Sequence, residues 1–371
     1  MRIGILTSSR ADFGIYLPLL RALERDAFFT MKIIAFGTHL SPYHGFTLNE
    51  IQKHGFEAAY RIESMLVSDG KEAISTAVGL TMMKFASFWQ EHAHEFDLVF
   101  CLGDRYEMFA AVMAAVPFQM KFAHLHGGEK TLGAIDNIYR HAISHASAIH
   151  FTSTVTYRNR LGAMLDVPEN VYHVGALSLD NLSSIPLLTI PEFKANWQID
   201  LSRPTILMTF HPETVNADAN VYYAEVLVEV MRDLKEYQFL VTLPNADTAG
   251  SSIRKIFADQ LSEGERIFLI ENLGTQSYFT AMRYCSFLLG NTSSGIIEAA
   301  SFGKYVINVG KRQEGRDSGE NVIQSAIAVE DIKSKVSLIQ QVREYSGPNI
   351  YFNNGAADAI VDILKAQHFN E

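Results

Sequence analysis

The sequence predicts an α/β fold of two doubly wound, parallel-sheet domains facing a cleft. Three observations carry that expectation. Apolar strand-like runs alternate with amphipathic helix-like stretches along most of the 371 residues. The alternation stops at Ser183–Phe193, a stretch with two prolines and no helical period, and then restarts. The ends of several apolar runs carry glycine, hydroxyl and charged residues, as expected where a parallel sheet opens into a ligand crevice. The length is enough for two domains, each with its own core.

Taken in order, Arg2–Thr7 reads as a first strand. The segment from Asp12 to Arg25 spaces Phe13, Leu17, Leu20 and Leu23 three or four residues apart, which predicts a helix. Met31–Phe36 is the next strand and Ala73–Glu95 holds a long helix. Leu98–Leu102, Tyr106–Val116 and Lys121–Leu125 repeat the strand–helix–strand alternation, Asn137–Ala148 reads as a helix, and Ala148–Thr152 and Val171–Val174 read as strands. Beyond the connector, Thr205–Thr209, Gln238–Leu243, Arg266–Ile270, Phe287–Leu289 and Tyr305–Val309 are strand-like, and Val221–Leu234 is helical. The expected boundaries are 1–185 for an N-terminal domain and 194–355 for a C-terminal domain. A helix within 356–371 is expected to pack back on the first.

Composition narrows the class. A formal charge of -10 lacks the basic footprint of a general nucleic-acid binder. Hydrophobic content of 48% and charged content of 19% fit a globular enzyme. The two cysteines, Cys101 and Cys285, each sit inside an apolar run and read as buried thiols. No apolar run reaches the roughly 18 residues of a membrane span. The start is too quickly polar for a secretory signal, so no membrane partner is expected and the cytoplasm is the expected location.

Chemistry concentrates at three corners. His124-Leu-His126-Gly-Gly-Glu129-Lys-Thr-Leu-Gly-Ala-Ile-Asp136 joins a strand to a helix and crowds two histidines and two carboxylates together. Gly103-Asp104-Arg105 ends another strand. Asp104, Glu129 and Asp136 are the first candidates for acid and base, and three carboxylates so placed would repel one another and hold one in its protonated form. Asp104 and Asp136 also suit helix N-caps. In the second half, Gly290-Asn291-Thr292-Ser293-Ser294-Gly295 precedes a helix over Ile296–Phe302, a place for phosphate, and Glu298 one turn in suits ribose hydroxyls. Gly310–Asn321 adds three cations in a glycine-rich loop. No Gly-x-x-x-x-Gly-Lys-Ser/Thr run is present, which argues against a nucleoside triphosphatase. Ser8-Ser9-Arg10-Ala11-Asp12 lacks the full dinucleotide glycine pattern.

These pieces together resemble the hydrolysing UDP-N-acetylglucosamine 2-epimerases of bacterial sialic and nonulosonic acid synthesis. The match runs in order through Thr7–Asp12, Gly103–Arg105, His124–Asp136, Arg140–Ile143, Phe210-His211-Pro212, Pro244–Asp247, Asn291–Glu298 and Gly315–Asn321. The resemblance implies the two-domain GT-B-like fold, UDP mainly on the second domain, no cofactor and no metal, and a homodimer. Arg10, Arg105, His211, Asn245, Ser293, Ser294, Gly295, Glu298 and Arg316 would bind UDP or substrate, with His211 also a catalytic candidate. Asp104, Glu129 and Asp136 would lie near the sugar. Relatives often have Glu where this chain has His126, so the catalytic role falls to His126 or Glu129, or the substrate differs.

The implied reaction expels UDP from C1 while a base takes the C2 proton, and water then adds across the resulting glycal. Arg10, His211 and Arg316 would meet the leaving diphosphate with charge-assisted hydrogen bonds. UDP-N-acetylglucosamine is the expected substrate, with UDP-N,N'-diacetylbacillosamine the alternative. Three other classes compete. A GT-B glycosyltransferase would share the UDP corner, and a nucleotide-sugar sensor would bind without turnover. A metallohydrolase would use His124 and His126, expected on one strand face, with Asp104 or Asp136.

Overall fold

The computed structural model describes residues 1–367 apart from 45, 69, 131–135, 214–218, 245–247, 262–265 and 343. It falls into two compact units. One comprises residues 1–129, 136–181 and 353–367; the other comprises Leu182–Phe352.

The first unit is built on seven strands, β1 (Arg2–Thr7), β2 (Thr30–Phe36), β3 (Ala58–Ile62), β4 (Leu98–Leu102), β5 (Phe122–Leu125), β6 (Ile149–Thr152) and β7 (Val171–His173). They pair in the order β3-β2-β1-β4-β5-β6-β7, every neighbour parallel. Because side chains alternate along a strand, each strand feeds two cores. Ile3, Ile5, Ile33, Ala35 and Phe100 pack with the helix Arg10–Glu24 on one face. Ile34, Phe36, Val99 and Cys101 pack with Phe85, Phe88 and Trp89 of the helix Lys71–His92 on the other.

The second unit repeats the plan with six strands, β8 (Thr205–Thr209), β9 (Gln238–Thr242), β10 (Ile267–Ile270), β11 (Phe287–Gly290), β12 (Val306–Val309) and β13 (Val322–Ser325). Their order is β10-β9-β8-β11-β12-β13, again all parallel. In each sheet the strand order reverses once, between β1 and β4 and between β8 and β11. Ligands of open α/β sheets bind outside the carboxyl ends of the strands at such reversals.

Two local features differ from the sequence expectation. β3 and β13 carried no clear strand signal because both are sheet edges with partly exposed residues, so neither shows a continuous apolar run. The expected connector at 183–193 runs into a helix, Ile190–Trp197. Thr189 and Glu192 form a reciprocal cap there, and Pro191 sits in the first turn, where its missing N–H costs no hydrogen bond. The helix Ala356–Ala366 buries Ala357, Ile360, Val361 and Leu364 in the first unit's core. Asp180 receives its leading backbone N–H groups, from Ala356 at 3.2 Å and Ala357 at 2.7 Å.

Candidate active site

At the first reversal, β1 runs into Ser8-Ser9-Arg10 and β4 into Gly103-Asp104-Arg105. The Asp12 carboxylate is buried and accepts from the Ser8 N–H at 2.7 Å, the Ser8 hydroxyl at 3.1 Å and the Ser9 hydroxyl. It thereby fixes the turn that presents Arg10, the exposed first residue of its helix. Arg105 donates to Glu107 at 2.7 Å. Asp104 caps nothing: the following helix is Tyr106–Ala115, its cap position is Arg105, and no side chain bonds there.

The neighbouring corner follows β5. His124 is the last but one strand residue and is fully buried. Its Nε2 lies 2.9 Å from the Gly103 carbonyl, which can only accept, so Nε2 carries the proton; Nδ1 meets the Ser144 hydroxyl at 2.9 Å. Burial pushes this imidazole down to about 3, so it is neutral. Both nitrogens are occupied, and His124 acts as a tie between strand ends.

His126 lies beyond the strand, at a left-handed φ of 63°. The chain turns there, so the two histidines do not share a strand face as the alternation would require, and the ligand pair of the competing metallohydrolase reading is not formed. The turn is held on both sides: the His126 N–H donates to Phe151 O at 3.1 Å, and Arg140 Nη1 donates to His126 O at 2.7 Å. Gly128 continues it at φ 77°, where a Cβ would meet Tyr157 O at 2.5 Å. Out of this turn, His126 Nδ1 reaches Glu129 Oε1 at 2.7 Å. The same oxygen accepts from the Ser153 hydroxyl at 3.0 Å.

Arg140 joins the pieces. It is buried on the helix Asp136–His145, pairs with Asp104, and stands 3.7 Å from Glu129 Oε2. The expected repulsion between carboxylates is therefore replaced by a shared guanidinium between Asp104 and Glu129. Asp136 is the first residue of that helix, exposed, one turn before Arg140.

At the second reversal, Asn291 staples the ends of β8 and β11. Its side chain accepts from the His211 N–H at 2.7 Å and donates to His211 O at 2.8 Å. Its carbonyl accepts from Arg312 at 3.0 Å and Gln313 at 2.8 Å, which draws the glycine-rich loop to the same corner. Tyr351 pins the loop's far side by donating to Asp317 O at 2.7 Å. Burial, with Arg312 nearby, pushes His211 down to about 4. His211 is thus neutral near pH 7, and a charge-assisted bond from it requires an incoming anion to raise that value.

The helix here is Ser293–Ile297, a single turn followed by a 3-10 turn at Ala299–Phe302, and its cap is Thr292, which accepts from the Ser294 N–H at 3.3 Å. So short a helix has little dipole, and any anion affinity rests on local N–H groups and side chains. Ser293 and Ser294 are half-buried, Gly295 and Glu298 buried, and Arg316 half-buried in its loop. The buried Tyr278 hydroxyl lies beside Ser294, Thr209 and Glu298, and burial pushes it up to about 12. Asn245 lies outside the described residues.

The first unit thus brings together Asp104, His126 and Glu129, and the second brings His211 to the Asn291 corner. The sequence reading missed Arg140, Ser153 and Asn291 as organisers. A lone arginine on a helix reads as surface, and only the fold shows it buried between two acids.

The fold places the chain among two-domain α/β proteins of the GT-B type. It superposes on the crystal structure of UDP-GlcNAc 2-epimerase from Neisseria meningitidis bound to UDP-GlcNAc with a TM-score of 0.82. That match has 18% identity and covers 99% of this chain and 100% of the other. The model of the UDP-N-acetylglucosamine 2-epimerase family matches residues 21–365, and the chain belongs to that family. The GDP/UDP-N,N'-diacetylbacillosamine 2-epimerase (hydrolyzing) of Campylobacter jejuni is 32% identical over 340 residues, covering 90% of this chain and 88% of that protein. The polysialic acid biosynthesis protein P7 of Escherichia coli is 29% identical, covering 98% and 93%.

Proposed function

We propose that this chain is a hydrolysing 2-epimerase that converts UDP-N-acetylglucosamine to UDP and free N-acetylmannosamine, for sialic or related nonulosonic acid synthesis. The observation that carries the reading is the acid–base set Asp104, His126, Glu129 and Arg140, assembled at the carboxyl end of a doubly wound sheet in a chain of this family.

The chemistry follows from the weakness of a sugar C2–H as an acid. Its proton leaves only if the C1–O bond is already breaking, so the diphosphate must be stabilised as it departs. Arg10, Arg105, His211, Asn245, Ser293, Ser294, Gly295, Glu298 and Arg316 are the residues assigned to UDP and the substrate. Arg and His donors to a phosphate contribute roughly 1.5–3 kcal/mol each. A base removes the C2 proton and UDP leaves with the C1–O electron pair. Water then adds, hydroxyl to C1 and proton to C2 on the opposite face. That second proton comes from a different group, with Asp104 and Asp136 the candidates.

A second substrate is favoured by one observation, the similarity to the C. jejuni enzyme named for N,N'-diacetylbacillosamine. Both nucleotide sugars offered side by side in deuterated water decide the matter. The reading expects UDP release and a free sugar carrying deuterium at C2 from one of them. A sugar that stays attached to UDP or passes to an acceptor would overturn it.

The protein is also assigned to the cytoplasm, as a homodimer. No helix among the described residues is long and apolar enough to cross a membrane. The helix Lys71–His92 leaves Met83 73% exposed, and Ile138 is 68% exposed. Light scattering at twice the chain mass is the expected result.

A further inference from the structure

Resting on the epimerase reading, we propose that His126 is the base that takes the C2 proton, with Glu129 as its orienting carboxylate and Arg140 as the positioning residue for the pair. The argument starts from the hydrogen bond between His126 Nδ1 and Glu129 Oε1 at 2.7 Å. An ionised carboxylate only accepts, so Nδ1 carries the proton and Nε2 presents its lone pair. Nε2 has no protein partner among the described residues, and the side chain keeps 12% of its surface open. Glu129, by contrast, is 3% exposed, with Oε1 shared between His126 and Ser153 and Oε2 beside Arg140. It is placed to hold a ring, and the ring is placed to meet a substrate.

The backbone supports this division. A non-glycine residue at φ 63° is uncommon, and the surroundings over-determine it here through Phe151 O and Arg140. The twist turns the His126 ring away from the buried face occupied by His124 and onto Glu129. Arg140 holds the His126 carbonyl and the Asp104 carboxylate at once, so base and neighbouring acid are set by one guanidinium. The charged and titratable groups around the ring are Glu129, Arg140, through it Asp104, and the neutral His124. In the elimination, the C2–H bond breaks toward Nε2, its electron pair forms the C1–C2 double bond, and UDP leaves with the C1–O pair. The imidazolium that results faces Glu129.

The test compares wild type, His126→Asn and Glu129→Gln. Asparagine tolerates the left-handed backbone and can still donate to Glu129, yet cannot take a proton. UDP release and C2 deuteration are followed on both nucleotide sugars across pH, with ¹⁵N shifts of the His126 ring recorded without substrate. We expect His126→Asn to lose ~10²–10⁴-fold in kcat with KM changed only a few-fold. Glu129→Gln should lose less and shift the Nδ1 ¹⁵N resonance, because a neutral amide oxygen accepts more weakly than a carboxylate. A His126→Asn variant within tenfold of wild type would overturn the assignment. So would a Glu129→Gln variant as inactive as His126→Asn with an unmoved Nδ1 resonance, which would make Glu129 the reacting group. A wild type with the stated ring signature but inert on both sugars would instead overturn the epimerase reading and this proposal with it.

Discussion

Arg140 is the residue on which the first corner depends. It is 4% exposed by side chain, and its pairing with Asp104 and Glu129 keeps two acids close without mutual repulsion. Removing one partner of a buried ion pair leaves charge uncompensated and costs about 3–5 kcal/mol. Arg140→Met should therefore lower the urea midpoint by a corresponding amount and abolish UDP release, while Arg140→Lys keeps the charge but loses the fork that bonds His126 O and Asp104 together. A Met variant with wild-type stability would contradict this account. At this scale the sequence was legible where residue types cluster, as in His124–Glu129, and illegible where one side chain crosses from another element. Asp104 read equally well as a helix cap; the arginine 36 positions on decides between the two.

At the level of elements, the corners depend on close approach. Gly290 ends β11 at φ 134°, and a Cβ there would run into the Thr209 carbonyl of β8. The approach lets Asn291 reach His211 across the reversal. Gly290→Ala should part the two strand ends and weaken UDP binding at least tenfold by calorimetry, with the first unit's corner unaffected. Unchanged UDP affinity would show that the staple does not matter to the nucleotide. The strands lining both reversals were legible because buried parallel strands are continuous apolar runs, β4 being Leu-Val-Phe-Cys-Leu. The edge strands β3 and β13 and the one-turn helix at Ser293 were not, because half-exposed or very short elements carry little periodic signal.

For the whole molecule, buried neutral histidines set the response to acid. Burial pushes His124 down to about 3 and His150 and His211 to about 4. An unfolded histidine takes its proton near pH 6.5. Between that pH and the folded values the unfolded chain binds more protons, so stability is fully present above about 6.5 and falls as the pH drops toward 4. Urea midpoints measured from pH 7.5 to 4.5 should decline steadily, starting above the range in which carboxylates titrate. A flat profile down to pH 5 would refute this. The helix Ala356–Ala366 has a consequence in time as well as in space. It completes the core of the first unit, yet it is made after all of Leu182–Phe352. On the ribosome the usual order of domain folding is inverted: the later unit has its whole sequence first, and the earlier one waits, with the apolar ground under Ile360 and Leu364 uncovered, until the chain comes back.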